Sequence, residues 1–279
     1  MKPIIKNLSY WFIASFFAIA VMFSSCSKEE NFGPETQAAD EVTENVDFSA
    51  MVGGYIPTPK DVYEKIPLAS DPVLKSTQAV KYLTCPSVGN QGADGACVGW
   101  ATAYAARSIM TGAQTYFSPA YVYNQIKISD CASGSYPVDA INLIYNQGVC
   151  TWSYMPYQSG YCYTQPNSSQ RQNAANYKIS GAYRVNINYS SIRSQIAAGR
   201  PVVVAGRVDN AFQNLGYNRI LNYVSGSGGG HAYCVVGYND DYRCFRILNS
   251  WGTSWSTNGY GWISYDIVGQ LCAEAYVMY

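Results

Sequence analysis

The chain is poor in charge and nearly devoid of histidine. Asp, Glu, Lys and Arg make up 13% of its 279 residues, and the 18 basic residues balance the 18 acidic ones. Soluble domains usually carry about 25% of these residues, and a neutral chain gives no electrostatic reason to bind nucleic acid. A single histidine, His231, excludes zinc centres built from two or three imidazoles. No Cys-x-x-Cys pair occurs either, so we expect no metal and no cofactor.

Apolar residues, by contrast, are plentiful. They form 48% of the chain, and tyrosine alone occurs 26 times. Such a composition excludes a disordered chain. The length suffices for one or two buried cores.

The N-terminal residues resemble an export signal. Lys2 and Lys6 precede a mostly apolar run over residues 8–23, which is shorter than the roughly 20 residues that span a bilayer as a helix. Small residues then lead to Cys26, a pattern typical of a secretory signal. Phe-Ser-Ser-Cys also resembles a bacterial lipobox, so we predict a lipoprotein signal peptide over residues 1–25 and lipidation of Cys26. A plain signal with a chance cysteine and an uncleaved membrane anchor are the alternatives.

The next segment is acidic. Residues 27–47 contain seven acids and only one lysine, and residues 26–55 show no apolar period. We therefore predict an acidic flexible tether over residues 26–55, followed by one domain over residues 56–279. Ser-Lys-Glu-Glu after Cys26 resembles tags that direct some bacterial lipoproteins to the outer face. We expect an outer-membrane lipoprotein of the bacterial cell envelope, anchored by its N-terminal lipid; its orientation towards the periplasm or the outside stays open.

Periodicity predicts helices in the first half of the domain and strands in the second. The helices are expected over residues 97–110, after Ser118-Pro119, over 137–146 and after Ser190 or Ser191. The strands are expected over residues 202–205, 231–238, 244–249, 260–265 and 272–278. This order favours an α+β fold with two lobes, a helical lobe over residues 85–180 and a β lobe over 181–279.

Cys97 is a candidate nucleophile. It follows Gly92 and Gly95 and opens a predicted helix, whose N-terminal dipole favours a thiolate. Free backbone N–H groups at the same place are suited to bind an oxyanion. The alternative is a structural cysteine buried in the core.

His231 is the one imidazole available to such a thiol. It follows three glycines and begins a predicted strand, on which His231 and Tyr233 share one face while Cys234 points to the other as a core thiol. Asn249 ends the next predicted strand, where its amide is suited to fix the tautomer of the ring, with Trp251 shielding that bond from water. A core histidine and an ordinary asparagine turn are the alternatives.

Together these residues resemble the catalytic residues of papain-like cysteine peptidases. The order Cys97, His231, Asn249 fits a family in which His and Asn lie about 130–150 residues beyond the Cys. Gln91 stands where the family has its oxyanion-hole glutamine. The further matches are Gly95-Ala96-Cys97, Gly134-Ser135-Tyr136-Pro137, Gly230-His231-Ala232 and Asn249-Ser250-Trp251-Gly252. The resemblance covers about residues 80–279.

The resemblance implies a fold, a reaction and a substrate class. The fold is papain-like, with the active-site cleft between a helical lobe and an antiparallel β-barrel-like lobe. The reaction is endopeptidase cleavage of proteins or peptides by a Cys97 thiolate and a His231 imidazolium. Asn249 is expected to orient His231, and Gln91 to bind the oxyanion. The implied substrate-binding residues are Ser135, Tyr136, Pro137, Ala205, Gly230 and Trp251; the implied disulfide is Cys131–Cys162, and the implied state is a monomer.

Two positions depart from the pattern of this family. Asp94 stands where the family has a disulfide cysteine, and Val98 stands where it has a tryptophan. An acid pointing towards Cys97 would raise the pKa of the thiol. The stretch upstream of Gln91 also looks too short for the family's inhibitory prodomain.

Cysteine pairing and two other functions stay open at this point. Apart from Cys26, Cys97 and Cys234, six cysteines are candidates for bridges, and six allow 15 pairings; they are Cys85, Cys131, Cys150, Cys162, Cys244 and Cys272. A catalytically silent binding module and another Cys–His acyl transferase or amidase are the alternative functions. The intact set of four catalytic residues and the Asn-Ser-Trp-Gly block argue against both.

Overall fold

The computed structural model describes residues 47–51, 53–73 and 78–279. The predicted signal peptide, Cys26 and most of the predicted tether lie outside these residues. Within the described part of the chain, no helix is long and apolar enough to cross a membrane.

Most helices of the domain precede its main strands. They are α1 (Lys60–Tyr63), α2 (Cys97–Gly99), α3 (Pro119–Ile126), α4 (Pro137–Asn146), α5 (Ser168–Ala174), α6 (Tyr189–Ala197), α7 (Asn210–Gln213) and α8 (Val268–Leu271). A π-helix over Trp100–Arg107 continues α2, and short 3-10 turns lie at Ser49–Met51 and Ala175–Tyr177. The predicted helices over 97–110 and 137–146 are therefore present.

Side-chain caps fix where two of the predicted helices begin. Ser118 Oγ accepts a hydrogen bond from Tyr121 N at 3.0 Å, and Pro119 fills the first turn of α3, as the sequence predicted. The prediction for α6 was wrong by two to three residues. Its N-cap is Asn188, whose Oδ1 accepts a hydrogen bond from Ser191 N at 2.9 Å. Ser190 and Ser191, the predicted caps, already lie inside the helix.

The helix that starts at Cys97 is buried on nearly every side. All residues from Cys97 to Ala106 are less than one tenth exposed. Gly99 allows α3 to come close, because a methyl group there would lie 2.9 Å from Pro119 O. An apolar helix without a polar face is typical of a position inside a core, which holds Cys97 in a fixed place.

The strands form one mostly antiparallel sheet. They are β1 (Val80–Tyr82), β2 (Ala182–Arg184), β3 (Val202–Val208), β4 (Ile220–Leu221), β5 (Gly229–Asn239), β6 (Cys244–Leu248), β7 (Tyr260–Ser264) and β8 (Cys272–Met278). Their order is β2-β8-β3-β5-β6-β7-β4, with β1 on β5, and only β4 pairs in parallel, with β7. The five predicted strands are all present. β1 lies upstream of α2, so the sheet is not confined to residues 181–279.

The sheet separates two hydrophobic cores. Ala232, Cys234 and Val236 of β5 pack with the helix that starts at Cys97 and with α3 and α4. Tyr233 and Val235 point to the opposite core, which contains α6 and the tryptophans of the 251–255 loop. The predicted alternation along β5 is confirmed, and the α+β fold with its mostly helical first part is confirmed with it.

Candidate active site

Cys97 is the first residue of α2, and other parts of the chain cover its side chain. Its side chain is fully buried, and its Sγ lies within hydrogen-bonding range of the backbone N–H of Ala232, the residue after His231. Burial raises the pKa of this thiol to about 12, and hydrogen bonds from the backbone amides of Ala232, Val98 and Cys97 offset only part of that rise. The expected thiolate is therefore disfavoured in this covered conformation.

The His231 ring is held by Asn249 under a lid of aromatic rings. His231 Nε2 lies 2.8 Å from Asn249 Oδ1, which also accepts from Ser250 N at 2.8 Å. Because Oδ1 is an acceptor, Nε2 carries the proton and the neutral ring keeps its lone pair on Nδ1. Within the described part of the chain no group hydrogen-bonds to the buried Nδ1. Trp251 lies over the ring with 4.6 Å between centroids.

Burial also sets the charge of this imidazole. Desolvation lowers the pKa of His231 to about 4, and the hydrogen bond to Asn249 opposes that shift without cancelling it. Cys97 and His231 are thus both neutral at pH 7 in this conformation. The imidazolium expected from the sequence requires water to reach the site.

Gln91 lies directly beside the Asn249 loop. Its Oε1 accepts from Ser250 Oγ at 2.7 Å, and its backbone N donates to Ser250 O at 2.8 Å. With Oε1 held in this way, Gln91 Nε2 donates to two backbone carbonyls, Asp94 O at 2.9 Å and Met51 O at 3.2 Å. The side-chain amide is therefore a fixed donor to a carbonyl oxygen next to the nucleophile.

Asp94, the departure from the family pattern, faces away from the chemistry. Its buried carboxylate accepts from Tyr157 Oη at 3.0 Å, Ser159 Oγ at 3.0 Å and Gly160 N at 2.9 Å. The Cys131–Cys162 disulfide implied by the resemblance is formed beside this loop. Asp94 thus links its own loop to residues 157–160 by charge-assisted hydrogen bonds.

An extended segment that sequence reasoning assigned to the tether crosses the site. We call residues 48–51 and 53–58 the covering segment. Phe48 stacks on Trp251 with 5.6 Å between centroids, and Met51 O accepts the hydrogen bond from Gln91. The prediction of a flexible tether therefore does not hold for residues 48–51 and 53–55, because they pack on the domain.

Backbone hydrogen bonds hold the rest of this segment on both sides of Cys97. Gly53 N donates to Gly230 O at 2.7 Å, while Ser135 N donates to Gly54 O at 3.0 Å and Ile56 N donates to Ser135 O at 3.1 Å. The segment therefore adds to Ser135 like a short strand, with Tyr55 and Ser135 as the bridge partners.

Two glycines allow this close approach. A methyl group at Gly54 would lie 2.7 Å from Cys97 Sγ and equally close to the Gly95 backbone. A methyl group at Gly230 would lie 2.3 Å from Tyr55 O. Neither distance is sterically possible, so a side chain at either position would force the segment away.

A buried carboxylate on β8 fixes the end of the covering segment. Glu274 accepts hydrogen bonds from Tyr55 Oη at 2.8 Å, Thr58 N at 2.6 Å and Thr58 Oγ1 at 2.9 Å, and also from Tyr276 Oη. Sequence reasoning missed Glu274. The available signal was a single acid in the otherwise uncharged strand 272–278.

The predicted site residues are joined by short contacts. Gln91 bonds to Asp94 O and Ser250 Oγ, and His231 bonds to Asn249. Three of the expected substrate-binding residues, Ser135, Gly230 and Trp251, contact the covering segment. The others lie nearby: Tyr136 and Pro137 begin α4 directly after Ser135, and Ala205 pairs with Glu274 across β3 and β8.

Known proteins resemble this chain in sequence. The sequence model described as "Papain family cysteine protease" matches residues 75–279. An uncharacterized peptidase C1-like protein of Acanthamoeba polyphaga mimivirus is 27% identical over 200 residues, covering 64% of this chain and 64% of that protein. Papain of Carica papaya is 27% identical over 176 residues, covering 62% of this chain and 50% of papain.

A solved structure supports the fold. Xylellain, a cysteine protease from Xylella fastidiosa, superposes with a TM-score of 0.70 at 24% identity, covering 82% of this chain and 96% of that one. This likeness confirms the papain-like fold that the sequence predicted. The chain spans less than two thirds of the length of the mimivirus protein and half that of papain.

Proposed function

Because this chain belongs to the papain family of cysteine proteases, we propose that it hydrolyses peptide bonds in proteins or peptides, with Cys97 as nucleophile and His231 as general acid and base. One observation carries the proposal. A peptide segment of the chain itself lies across Cys97 on the residues expected to bind substrate, with a backbone carbonyl on Gln91 Nε2.

The reaction starts when His231 Nδ1 takes the proton of Cys97. The sulfur attacks the peptide carbonyl carbon, and the C=O electron pair moves to the oxygen. Gln91 Nε2 and the Cys97 backbone N–H stabilise this oxyanion. As the tetrahedral intermediate collapses, the C–N bond breaks and Nδ1 gives its proton to the leaving amine. Water then hydrolyses the thioester, with Nδ1 as the base.

Asn249 serves this reaction as a positioning residue. Its Oδ1 keeps the proton on His231 Nε2, which directs the Nδ1 lone pair to the reacting atoms. Trp251 keeps water off that hydrogen bond. The ring therefore exchanges a proton at one nitrogen only.

The covering segment must leave before a substrate reaches Cys97. Its departure lets water in, which removes the desolvation that holds both Cys97 and His231 neutral. A substrate then forms backbone hydrogen bonds with Ser135 and Gly230, where the segment formed them. Tyr136, Pro137 and Ala205 flank its side chain, which favours apolar or aromatic groups.

The test uses Gly54→Ala, which forces the covering segment off without altering any catalytic group. We expect this variant to cleave fluorescein-labelled casein at least tenfold faster than the unaltered chain. Its Cys97 should react with iodoacetamide near pH 6, since an uncovered thiol paired with imidazole ionises at lower pH. Adding His231→Ala to Gly54→Ala should remove that reactivity.

Two controls complete this test. Gly269→Ala, whose methyl group would lie 3.8 Å from its nearest neighbour, should leave casein cleavage and labelling as in the unaltered chain. Cys97→Ser in the Gly54→Ala background should abolish cleavage. The mechanism is wrong if Cys97 reacts with iodoacetamide only above about pH 8, as an ordinary thiol does, both in Gly54→Ala and in Gly54→Ala with His231→Ala. Fast labelling without cleavage would favour the silent binding module.

We propose, from the sequence alone, that the enzyme is a lipoprotein of the bacterial outer membrane. The support is the signal-like start over residues 1–25 and the lipobox-like residues before Cys26. The acidic stretch that follows is long enough to hold the domain away from the membrane surface.

A further inference from the structure

Gln91 is held from two sides by different loops. On one side its backbone N donates to Ser250 O at 2.8 Å, and its Oε1 accepts from Ser250 Oγ at 2.7 Å. On the other side the hydroxyl of Tyr157 donates to Gln91 O at 2.6 Å. Gln91 is fully buried, so the bond from Tyr157 satisfies a carbonyl that would be costly to leave without a partner.

The peptide plane between Gln91 and Gly92 depends on this bond for its orientation. Gly92 lies at φ +62°, and a glycine leaves the adjoining peptide free to rotate. The plane is held at one end by a bond from Gly92 N to Asn90 Oδ1 at 2.8 Å, and at the other by the bond from Tyr157. The Asn90 bond is exposed and local to the turn, whereas the Tyr157 bond ties the turn to a distant part of the chain.

Tyr157 is itself fixed against the helix of the nucleophile. Its ring packs edge to face on Trp100, with 5.0 Å between centroids, and Trp100 begins the π-helix that continues α2. The same loop also presses on the turn of Gln91, because a methyl group at Gly92 would lie 2.6 Å from Ser159 Oγ. The hydroxyl therefore links the turn of Gln91 to the helix that begins at the reactive thiol.

The hydroxyl of Tyr157 has one proton for two acceptors. Its Oη lies 2.6 Å from Gln91 O and 3.0 Å from Asp94 Oδ2, so the carbonyl is the nearer acceptor. Burial and the Asp94 carboxylate both raise the pKa of Tyr157. The hydroxyl therefore stays protonated at neutral pH and keeps donating.

We propose that Tyr157 is a positioning residue for the oxyanion site, because its hydroxyl holds the Gln91 backbone where the side-chain amide meets the oxygen of the reacting carbonyl. The proposal rests on the proposed peptidase function and adds a residue that acts through Gln91. Removing an oxyanion donor costs roughly 100-fold to 1000-fold in kcat. A donor that is present but out of alignment loses part of that effect.

Tyr157→Phe tests this role, since it removes the hydroxyl and keeps the ring on Trp100. The variant is made in the Gly54→Ala chain, and hydrolysis of the coumarin amide of succinyl-Leu-Leu-Val-Tyr is followed by fluorescence. We expect kcat to fall about tenfold and KM to change by less than about twofold, because the oxyanion develops only in the transition state. Alkylation of Cys97 with iodoacetamide at pH 6 should keep its rate, since this displacement at carbon forms no oxyanion.

Tyr154→Phe is the matched control, because its ring is exposed on the same loop. It should leave kcat, KM and the alkylation rate as in the Gly54→Ala parent. An unchanged kcat in Tyr157→Phe would overturn the proposal. Equal losses of kcat and of the alkylation rate would overturn it as well, because they would show that the hydroxyl supports the whole site and not the oxyanion donor.

A double-mutant cycle tests whether Tyr157 acts through Gln91. In the Gly54→Ala chain, Gln91→Ala should lower kcat by roughly 100-fold or more. Adding Tyr157→Phe should then change kcat by less than about twofold, because the amide that Tyr157 positions is gone. A further tenfold loss would refute this route while leaving the peptidase function intact. Absence of cleavage by the Gly54→Ala parent would instead refute the peptidase function, and the role of Tyr157 with it.

Discussion

At the residue scale, the structure indicates that Asp94 stabilises the fold and does not set the pKa of Cys97. A carboxylate three residues before a nucleophilic thiol suggests an influence on the thiol's pKa. Its three hydrogen bonds with Tyr157, Ser159 and Gly160 instead hold two loops together. Asp94 therefore contributes to stability and leaves the charge of Cys97 to burial.

Asp94→Ala should destabilise the fold without changing the reactive groups. Three partly exposed donors lose a charged acceptor that is itself buried, which costs about 1.5–3 kcal/mol in the free energy of unfolding. Urea unfolding followed by tryptophan fluorescence measures this loss. Asp241→Ala, at an exposed residue, is the matched control and should change the free energy by less than about 0.5 kcal/mol. Equal values for both variants would contradict the role given to Asp94.

At the residue scale the sequence predicted identities better than charge states. Motifs and spacing predicted Cys97, His231, Asn249 and Gln91 as the catalytic residues, and in the structure His231 bonds to Asn249 and Gln91 bonds to Ser250 of the same loop. Their protonation was not predictable, because burial in the folded chain raises the pKa of Cys97 and lowers that of His231. That burial depends on long-range packing, which no local pattern reveals.

At the scale of elements, hydrogen bonds to Glu274 of β8 hold the covering segment over Cys97, and we call this contact the latch. Glu274 on β8 accepts hydrogen bonds from Tyr55 Oη, Thr58 N and Thr58 Oγ1. The segment's other contacts to the domain include backbone bonds, the bond from Gln91 Nε2 to Met51 O and the Phe48–Trp251 stack. A buried carboxylate with so many donors is costly to leave half-satisfied. The segment's residence over Cys97 therefore depends on this side chain.

Glu274→Gln should uncover Cys97 more often. The amide keeps one acceptor oxygen and brings two donors of its own, so at least one buried hydroxyl loses its partner, at about 1–3 kcal/mol. We expect iodoacetamide to label Cys97 about tenfold to a hundredfold faster than in the unaltered chain at the same pH. Glu64→Gln, at an exposed residue of the same N-terminal stretch, is the control.

Labelling of a distant thiol distinguishes local opening from unfolding. Cys150 is fully buried among the helices, so its labelling rises only if the whole domain opens. Faster labelling of Cys97 with unchanged Cys150 supports the latch. An unchanged rate at Cys97, or equal increases at both cysteines, would refute it.

Periodicity located the long elements and missed the short ones. The strands over 231–238 and 272–278 and the helix over 137–146 carry clear patterns. β1 and β4 have three and two residues, too few to show a period. The covering segment has no period at all, because its conformation is imposed by Ser135, Gly230 and Glu274, which lie far away in the sequence.

At the scale of the whole molecule, the predicted anchor concerns residues outside the described ones. Cys26→Ser removes the sulfur that a lipid would modify, so the variant should move from the membrane to the soluble fraction. Ultracentrifugation of cell lysates followed by immunoblotting measures this. Ser25→Thr, a conservative change beside the lipidation site, should stay membrane-bound. Retention of Cys26→Ser in the membrane would exclude lipidation and favour an uncleaved anchor.

At the scale of the whole molecule, acid should also shift the equilibrium between the covered and uncovered conformations, through protonation of His231. In the covered conformation the pKa of His231 is about 4, whereas a solvated imidazole has about 6.5. Apart from the ionisation of Cys97, an uncovered imidazole is neutral above pH 6.5, as in the covered conformation, so its own titration does not disfavour covering there. As the pH falls towards 4, only the uncovered conformation gains a proton, so the covered one loses up to roughly 3 kcal/mol of relative stability.

Labelling of Cys97 with 2,2′-dithiodipyridine, a disulfide reagent that works in acid, measures this shift. The rate for the unaltered chain is divided by that for Gly54→Ala at each pH, which cancels the intrinsic reactivity of the thiol. We expect this ratio to rise by about 50-fold between pH 7.5 and pH 4.5. His231→Ala in both backgrounds should remove this rise. A ratio that stays flat down to pH 4.5 would mean that the covering segment does not respond to this imidazole, and that its release depends on cleavage or on a partner.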